Sequence, residues 1–255
     1  MQTVLRSGFD APEEVVQLFV GGSELHGAKV GATDDLDVYG IFLEPPAKAL
    51  GFTGRGHFVW STASDERRNG PDDVDLTLYS LQRWAELAMK GNATALHFVF
   101  AEATSESLPI WEDVHNSREI FLSKRSAEQF LGFAENQKQR ITGEKGQGNK
   151  GIRHEYVGKF GYDTKAAMHC LRLYFECIEL METGRITLPR PEKDLLIDVR
   201  SGGWTLERFL RFAQELDARA RTAAEASTLP DAVDVVAVSE LVAEVHLKFW
   251  GCSQV

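Results

Sequence analysis

The sequence predicts an α+β protein, a small mixed β-sheet with flanking helices followed by a helical C-terminal region. Three observations carry this. Short apolar runs bounded by turn residues occupy the first part of the chain, at Val15–Val20, Val38–Leu43 and Val74–Leu78. From about residue 116 the apolar residues recur at helical spacing instead. Carboxylates enter the strand-like runs at alternate positions, Asp35 and Asp37 at one, Asp73 and Asp75 at another. The expected division is a sheet-bearing core over residues 1–115 and a helical domain over residues 116–255 that completes its cleft.

The elements follow in order. Residues 14–21 read as a first strand and 23–30 as a short turn or helix. Residues 37–43 read as a second strand, stopped by Glu44-Pro45-Pro46, and His57–Thr62 as a further one. Ser64–Asp73 is charged and holds Gly70-Pro71, so it reads as a surface loop. In Asp75–Tyr79, Leu76 and Leu78 share one face with Val74, while Asp75, Thr77 and Tyr79 share the other. Ser80 can cap a helix over Leu81–Lys90 with Gly91 as its stop, and Asn92 can cap Ala93–Glu102. Helical spacing then covers Arg125–Ile141, Arg153–Thr183, Thr205–Ala226 and Val233–Phe249, with Asp231 or Asp234 as the start of the last. The glycine-rich stretch Thr142–Gly151, with Lys145 and Lys150, reads as a loop, either a plain connector or one that closes over substrate.

The chemistry concentrates at Gly22-Ser23 and, after eleven intervening residues, Asp35-Leu36-Asp37. Alternate residues of a strand point the same way, so Asp35 and Asp37 share a face while Leu36 and Val38 turn to the core. Two carboxylates side by side suit a hard divalent cation, which prefers oxygen ligands and keeps phosphate oxygens as further ones. A charged group on a strand is expensive unless it meets solvent or a cation. Asp75 offers a third carboxylate on a later strand. Gly22 lets the backbone come close to a phosphate, and Ser23 adds a hydroxyl.

These residues resemble the DNA polymerase beta-type nucleotidyltransferases, with a Gly-Ser turn, a spacer of this length, an Asp-x-Asp and a later acid. Within that superfamily the chain is most similar to the RNA-repair-pathway, or RlaP-like, nucleotidyltransferases. The family element around its Asp-x-Asp reads here as Asp34-Asp35-Leu36-Asp37-Val38-Tyr39-Gly40. Further likeness lies in Asp75–Leu81, Lys90-Gly91-Asn92, Lys165–Leu173, Glu179-Leu180, Thr183-Gly184 and Leu188-Pro189, so that it spans roughly residues 15–200. Asp34 stands where the family usually has Ser, an extra acid that either perturbs a metal site or faces solvent.

The resemblance implies a nucleotidyltransferase core, with transfer of a nucleoside monophosphate from a nucleoside triphosphate to an acceptor hydroxyl. The family name points to an RNA end. Asp35, Asp37 and Asp75 would be the catalytic and metal-holding residues, for two Mg²⁺ or Mn²⁺ ions. Gly22 and Ser23 would hold a terminal phosphate. Lys165, His169, Arg172 and Glu176 fall at i, i+4, i+7 and i+11 of a helix and share a face, which reads as a solvated surface or as a phosphate-binding wall. With the resemblance, Lys165, His169 and Arg172 join the nucleotide-binding set, Arg172 suiting bidentate phosphate contact. His26 reads equally as a phosphate contact or a structural residue, and His97 as a core residue. Two other readings stay open, a protein-modifying or toxin–antitoxin-type nucleotidyltransferase and a nucleotide-sensing module without catalysis.

Composition sets limits on these readings. Of the 255 residues, 43% are hydrophobic, enough for an ample core. No apolar run approaches the ~20 residues that span a bilayer, and Met1–Ser7 leads into no apolar signal core, so a cytoplasmic protein with no membrane partner is expected. Cys170, Cys177 and Cys252 have no metal spacing and read as reduced thiols. The net charge of −10 argues against binding long duplexes, where a broad basic face is expected. Yet residues 136–172 hold eight basic against three acidic side chains, which suits a triphosphate or a short RNA end. The GxxxxGK[ST] phosphate loop and the Gly-x-Ser-x-Gly elbow are both missing from the sequence, so P-loop and serine-hydrolase chemistry lack support.

Overall fold

The computed structural model describes residues 14–31, 35–54, 56–63, 73–102, 104, 107–142 and 154–252. Asp34, Arg153, residues 64–72 of the charged loop and residues 143–151 of the glycine-rich stretch lie outside these.

Four strands, β1 (Glu14–Val20), β2 (Leu36–Leu43), β3 (His57–Ser61) and β4 (Val74–Ser80), form one sheet in the order β1-β2-β4-β3. β2 runs antiparallel to β1 and parallel to β4, and β3 returns antiparallel on β4, so the sheet is mixed as expected. The parallel register sets Asp37 directly opposite Asp75. The period of two then works out as the sequence implies. Val74, Leu76 and Leu78 are buried in a small cluster with Leu18, Val38 and Phe42 on one face of the sheet. Ile41, Leu43, Val16 and Phe19 join the main core on the other.

Eleven α-helices are described. α1 (Gly22–Leu25) and α2 (Pro46–Ala49) sit in strand connections. α3 (Leu81–Met89) and α4 (Ala93–Phe100) follow β4, started by Ser80 and Asn92 side chains that accept the N–H groups of Arg83 and Ala95. α5 (Trp111–Asn116) is short. α6 (Arg125–Thr142), α7 (His154–Phe160), α8 (Thr164–Thr183), α9 (Lys193–Arg200), α10 (Leu206–Ala226) and α11 (Val235–Phe249) complete the chain. Thr205 and Asp234 cap α10 and α11, which decides between Asp231 and Asp234 in favour of the latter.

The helix expected over Arg153–Thr183 is broken. Gly161 takes φ +82°, a left-handed conformation, and Asp163 accepts the N–H of Ala166 and starts α8 afresh. The apolar spacing persists through the break, which is why it reads as continuous. α8 is the axis of the helical region. Ala167, Leu171, Tyr174 and Ile178 are all buried in a core that runs without interruption from β1 to α11. That packing fixes which face of α8 remains for the cavity.

Candidate functional site

The site begins where β1 ends. The Gly21 N–H donates to the Asp37 carbonyl at 2.8 Å, tying the turn to β2. Gly22 has φ +56°, and a Cβ there would fall 1.9 Å from Asp37 Oδ2. Only glycine allows this seat, on both conformational and steric grounds. The Asp37 carboxylate therefore rests against the backbone at the start of α1, and Ser23 follows at once. A Cβ on Gly21 would meet the Tyr39 ring at 2.2 Å, so the turn is closely fitted to β2 along its length.

Asp35, Asp37 and Asp75 offer carboxylate oxygens that all lie within 4.8 Å of one another, and all three residues are half-buried. Ser61, opposite Asp75 in the β3–β4 register, donates its hydroxyl to Asp75 Oδ1 at 2.5 Å. Ser61 was missed by sequence reading, because only the pairing of β3 brings it there. Burial first, then the neighbouring Asp37 and Tyr79, push the Tyr39 phenol up to about 12, so it stays a neutral donor at the cavity edge.

A cavity of about 370 Å³ opens beside these carboxylates. Gly22, Ser23, Asp35 and Asp37 line one side, and Lys165, His169 and Arg172 of α8 line another. Seven of the eight expected site residues thus border one space. Asp75 is not among the lining residues but stands beside Asp35 and Asp37. The polar face of α8 is accordingly turned to the cavity rather than to open solvent. The helical region also holds the segment after α1, since the Arg190 N–H donates to the His26 carbonyl at 3.2 Å and the buried Arg200 guanidinium to the Ala28 carbonyl at 3.0 Å.

A second polar cluster borders the same cavity through His26, His97 and Arg172. The Glu176 side chain is fully buried, with His26 Nδ1 3.2 Å from Oε1 and His97 Nε2 3.3 Å from Oε2. Arg172 Nε is 3.7 Å from Oε1. Burial and Arg172 together lower the His26 pKa to about 3, so its ring is neutral. Burial works to raise the Glu176 carboxyl, but Arg172, His97 and His26 outweigh it and hold it well below the usual carboxylate range. His26 and His97 both line the cavity as well as meeting Glu176, and His97 is buried as expected. Cys170 and Cys177 are buried free thiols, both pushed up to about 12 chiefly by burial.

The donor chemistry of the three aspartates fits a hard divalent cation. Three carboxylates this close repel one another, and Gly22 leaves room for Asp37 to keep its place among them. No described helix is long and apolar enough to cross a membrane.

Comparison with known proteins places the chain. It is 26% identical over 141 residues to an uncharacterized 38.9 kDa protein in the nrdC-mobD intergenic region of enterobacteria phage T4, a match covering 54% of this chain and 38% of that relative. The crystal structure of a nucleotidyltransferase-like protein from Exiguobacterium sibiricum aligns with 97% of this chain and 77% of its own, at 14% identity and a TM-score of 0.30. The sequence pattern of the polymerase beta-type RlaP family matches from residue 6 to residue 238. With nearly the whole chain inside that match, the protein belongs to the RNA repair pathway DNA polymerase beta family.

Proposed function

We propose that the protein is a metal-dependent nucleotidyltransferase that moves a nucleoside monophosphate from a nucleoside triphosphate to the hydroxyl of an RNA end. The observation that carries this reading is the meeting of Asp35, Asp37 and Asp75 within 4.8 Å at the mouth of a cavity whose other wall is Lys165, His169 and Arg172. An anionic triphosphate with its cations matches both walls at once.

In the reaction, the acceptor oxygen attacks the α-phosphorus. The bond from that phosphorus to the bridging oxygen breaks, and pyrophosphate leaves. Asp35, Asp37 and Asp75 would hold Mg²⁺ or Mn²⁺, which when bound supplies charge neutralisation on the phosphates and acidifies the acceptor hydroxyl. The chain's own groups do the rest. The Gly22 backbone and Ser23 receive the terminal phosphate, where glycine permits close approach. Lys165 and Arg172 balance the charge that builds on the leaving pyrophosphate, and His169 hydrogen-bonds to it. Asp75, oriented by the Ser61 hydroxyl, accepts the proton of the attacking hydroxyl. The basic residues around α8 favour an RNA end over a neutral acceptor.

The test is incorporation of labelled nucleotides into a mixture of RNA ends, with and without divalent cation. Transfer that needs the cation and disappears in Asp37→Asn is expected. Label carried onto protein and not RNA would move the acceptor to a polypeptide. No transfer to any acceptor in the presence of Mg²⁺ or Mn²⁺ would overturn the reading.

A further inference from the structure

The second cluster is not used by that mechanism, and its geometry is specific. Glu176 sits one turn beyond Arg172 on α8 and is wholly buried, while the Arg172 side chain is 15% exposed and lines the cavity. The carboxylate ties three elements together through His26 after α1, His97 on α4 and Arg172 on α8. A buried carboxylate that remains charged needs a cation close by, and removing that partner is costly. Arg172 is that cation. Among the described residues, no other carboxylate pairs with it.

Building on the nucleotidyltransferase reading, we propose that Glu176, steadied by His26 and His97, is a positioning residue that fixes the Arg172 guanidinium for contact with the nucleotide phosphates. Glu176 approaches Arg172 through Nε, which leaves the two terminal nitrogens as the phosphate-facing end of the fork. A free arginine loses rotamer entropy when it binds phosphate. One already held from behind loses less, and so binds more tightly. His26 serves this arrangement without discharging it, because its ring is neutral and leaves the Glu176 charge for the guanidinium. His26 also links the arrangement to the turn that carries Gly22 and Ser23, so both phosphate-facing groups share one support.

Two imidazole nitrogens and a carboxylate within 4.8 Å also form a donor set of the kind that zinc takes. Arg172 decides against that reading. A divalent ion among these atoms would lie next to a guanidinium 3.7 Å from the same carboxylate oxygen, a repulsion that burial of the site strengthens.

The test is a double-mutant cycle on nucleotide affinity, using a nonhydrolysable nucleoside triphosphate with Mg²⁺ and calorimetry. Glu176→Gln keeps the shape and removes the charge. Alone it should raise Kd about tenfold, and combined with Arg172→Gln it should add almost nothing to the loss caused by Arg172→Gln. Additive losses, or a lowered Tm with unchanged Kd, would make Glu176 a structural residue and overturn the proposal while the nucleotide reading stands. Absence of binding to the unmutated protein would instead sink the nucleotide reading and this role with it. If either variant fails to fold, His97→Gln takes its place, leaving the charge pair intact. An approximately threefold rise in Kd is then expected, and an unchanged Kd counts against the proposal. Zn²⁺ added alone should find no site that survives Asp37→Asn and is abolished by His97→Gln. Such a site would replace the positioning role with a metal centre.

Discussion

Two clusters flank the same cavity and are alike in one respect. Each brings three potential ligand groups within 4.8 Å of one another. They differ in burial and in the chemistry of their groups. The Asp35–Asp37–Asp75 group is half-buried and made of carboxylates alone, a donor set that suits a divalent cation. The Glu176 group is fully buried and carries its own cation, Arg172, 3.7 Å away. Proximity of ligand groups therefore does not by itself mark a metal site. A guanidinium set against a wholly buried carboxylate weighs against an added ion there.

The contrast is broken most sharply at Asp37. Asp37→Asn should lower nucleotide transfer by more than about 10³-fold, since it removes a charge aimed at the reacting phosphates. The apo protein should be as stable as the parent or slightly more so, because one repelling neighbour is gone. Incorporation assays and melting curves on the same preparation check both halves. Substantial transfer in this variant would remove the aspartates from the mechanism.

The opposite pattern is expected at the Glu176 cluster. Glu176→Ala should destabilise the fold by about 3 kcal/mol, because it strands the largely buried Arg172 cation and leaves the two imidazoles facing a void. Chemical denaturation measures this directly. An effect as small as that expected for Asp37→Asn would mean that the two clusters do not differ in the way their burial implies.

Gly22 sharpens the comparison from the side of the backbone. Gly22→Ala faces both a left-handed φ and a Cβ that would overlap Asp37 Oδ2. A loss of about 1 kcal/mol in stability is expected from the backbone conformation. The larger consequence is displacement of Asp37, seen as a raised Mg²⁺ requirement for transfer. An unchanged Mg²⁺ dependence would show that the seat of Asp37 on the turn is unimportant.

Much of the aspartate site was legible in the sequence because it is built from local periodicity. Two carboxylates one residue apart must share a strand face, and Asp75 follows the same rule in its own strand. Ser80, Asn92 and Asp234 could be read as caps for a similar reason, since each lies within three residues of what it satisfies. The Glu176 cluster was not legible in that way. Its carboxylate reaches His97 across 79 positions, and nothing in the α8 pattern separates Glu176 from the three cavity-lining residues on the same helical face. The break at Gly161 was overlooked because apolar spacing continues across it, although Gly161 and Asp163 are both recognisable stop and start residues. The short helices α5 and α9 were missed too. At six and eight residues they are too brief for an apolar stripe to stand out.

The smallest effect expected is a dependence on pH that belongs to the buried cluster alone. The folded-state His26 pKa lies near 3, against 6.5 for an exposed histidine. Between those values the unfolded chain binds a proton that the folded chain refuses, so stability falls as pH is lowered through this window. The groups facing His26 are Arg172, Glu176 and His97, of which Arg172 reinforces the refusal and Glu176 opposes it. The Glu176 carboxyl, whose folded value lies well below 4.5, is also stabilising at neutral pH, but its contribution is lost only on further acidification through that value. From pH 7.5 to 5.5, His26 therefore acts before Glu176 and should account for a loss of about 1 kcal/mol. Burial also lowers His115 and His246, so the parent protein's slope is not that of His26 alone. The informative quantity is the difference between the parent and His26→Gln, compared by denaturation at both pH values. A shallower slope in the variant is expected, because the glutamine cannot titrate. Equal slopes would mean that His26 accepts its proton in the folded state, and the guanidinium would then share Glu176 with a second cation.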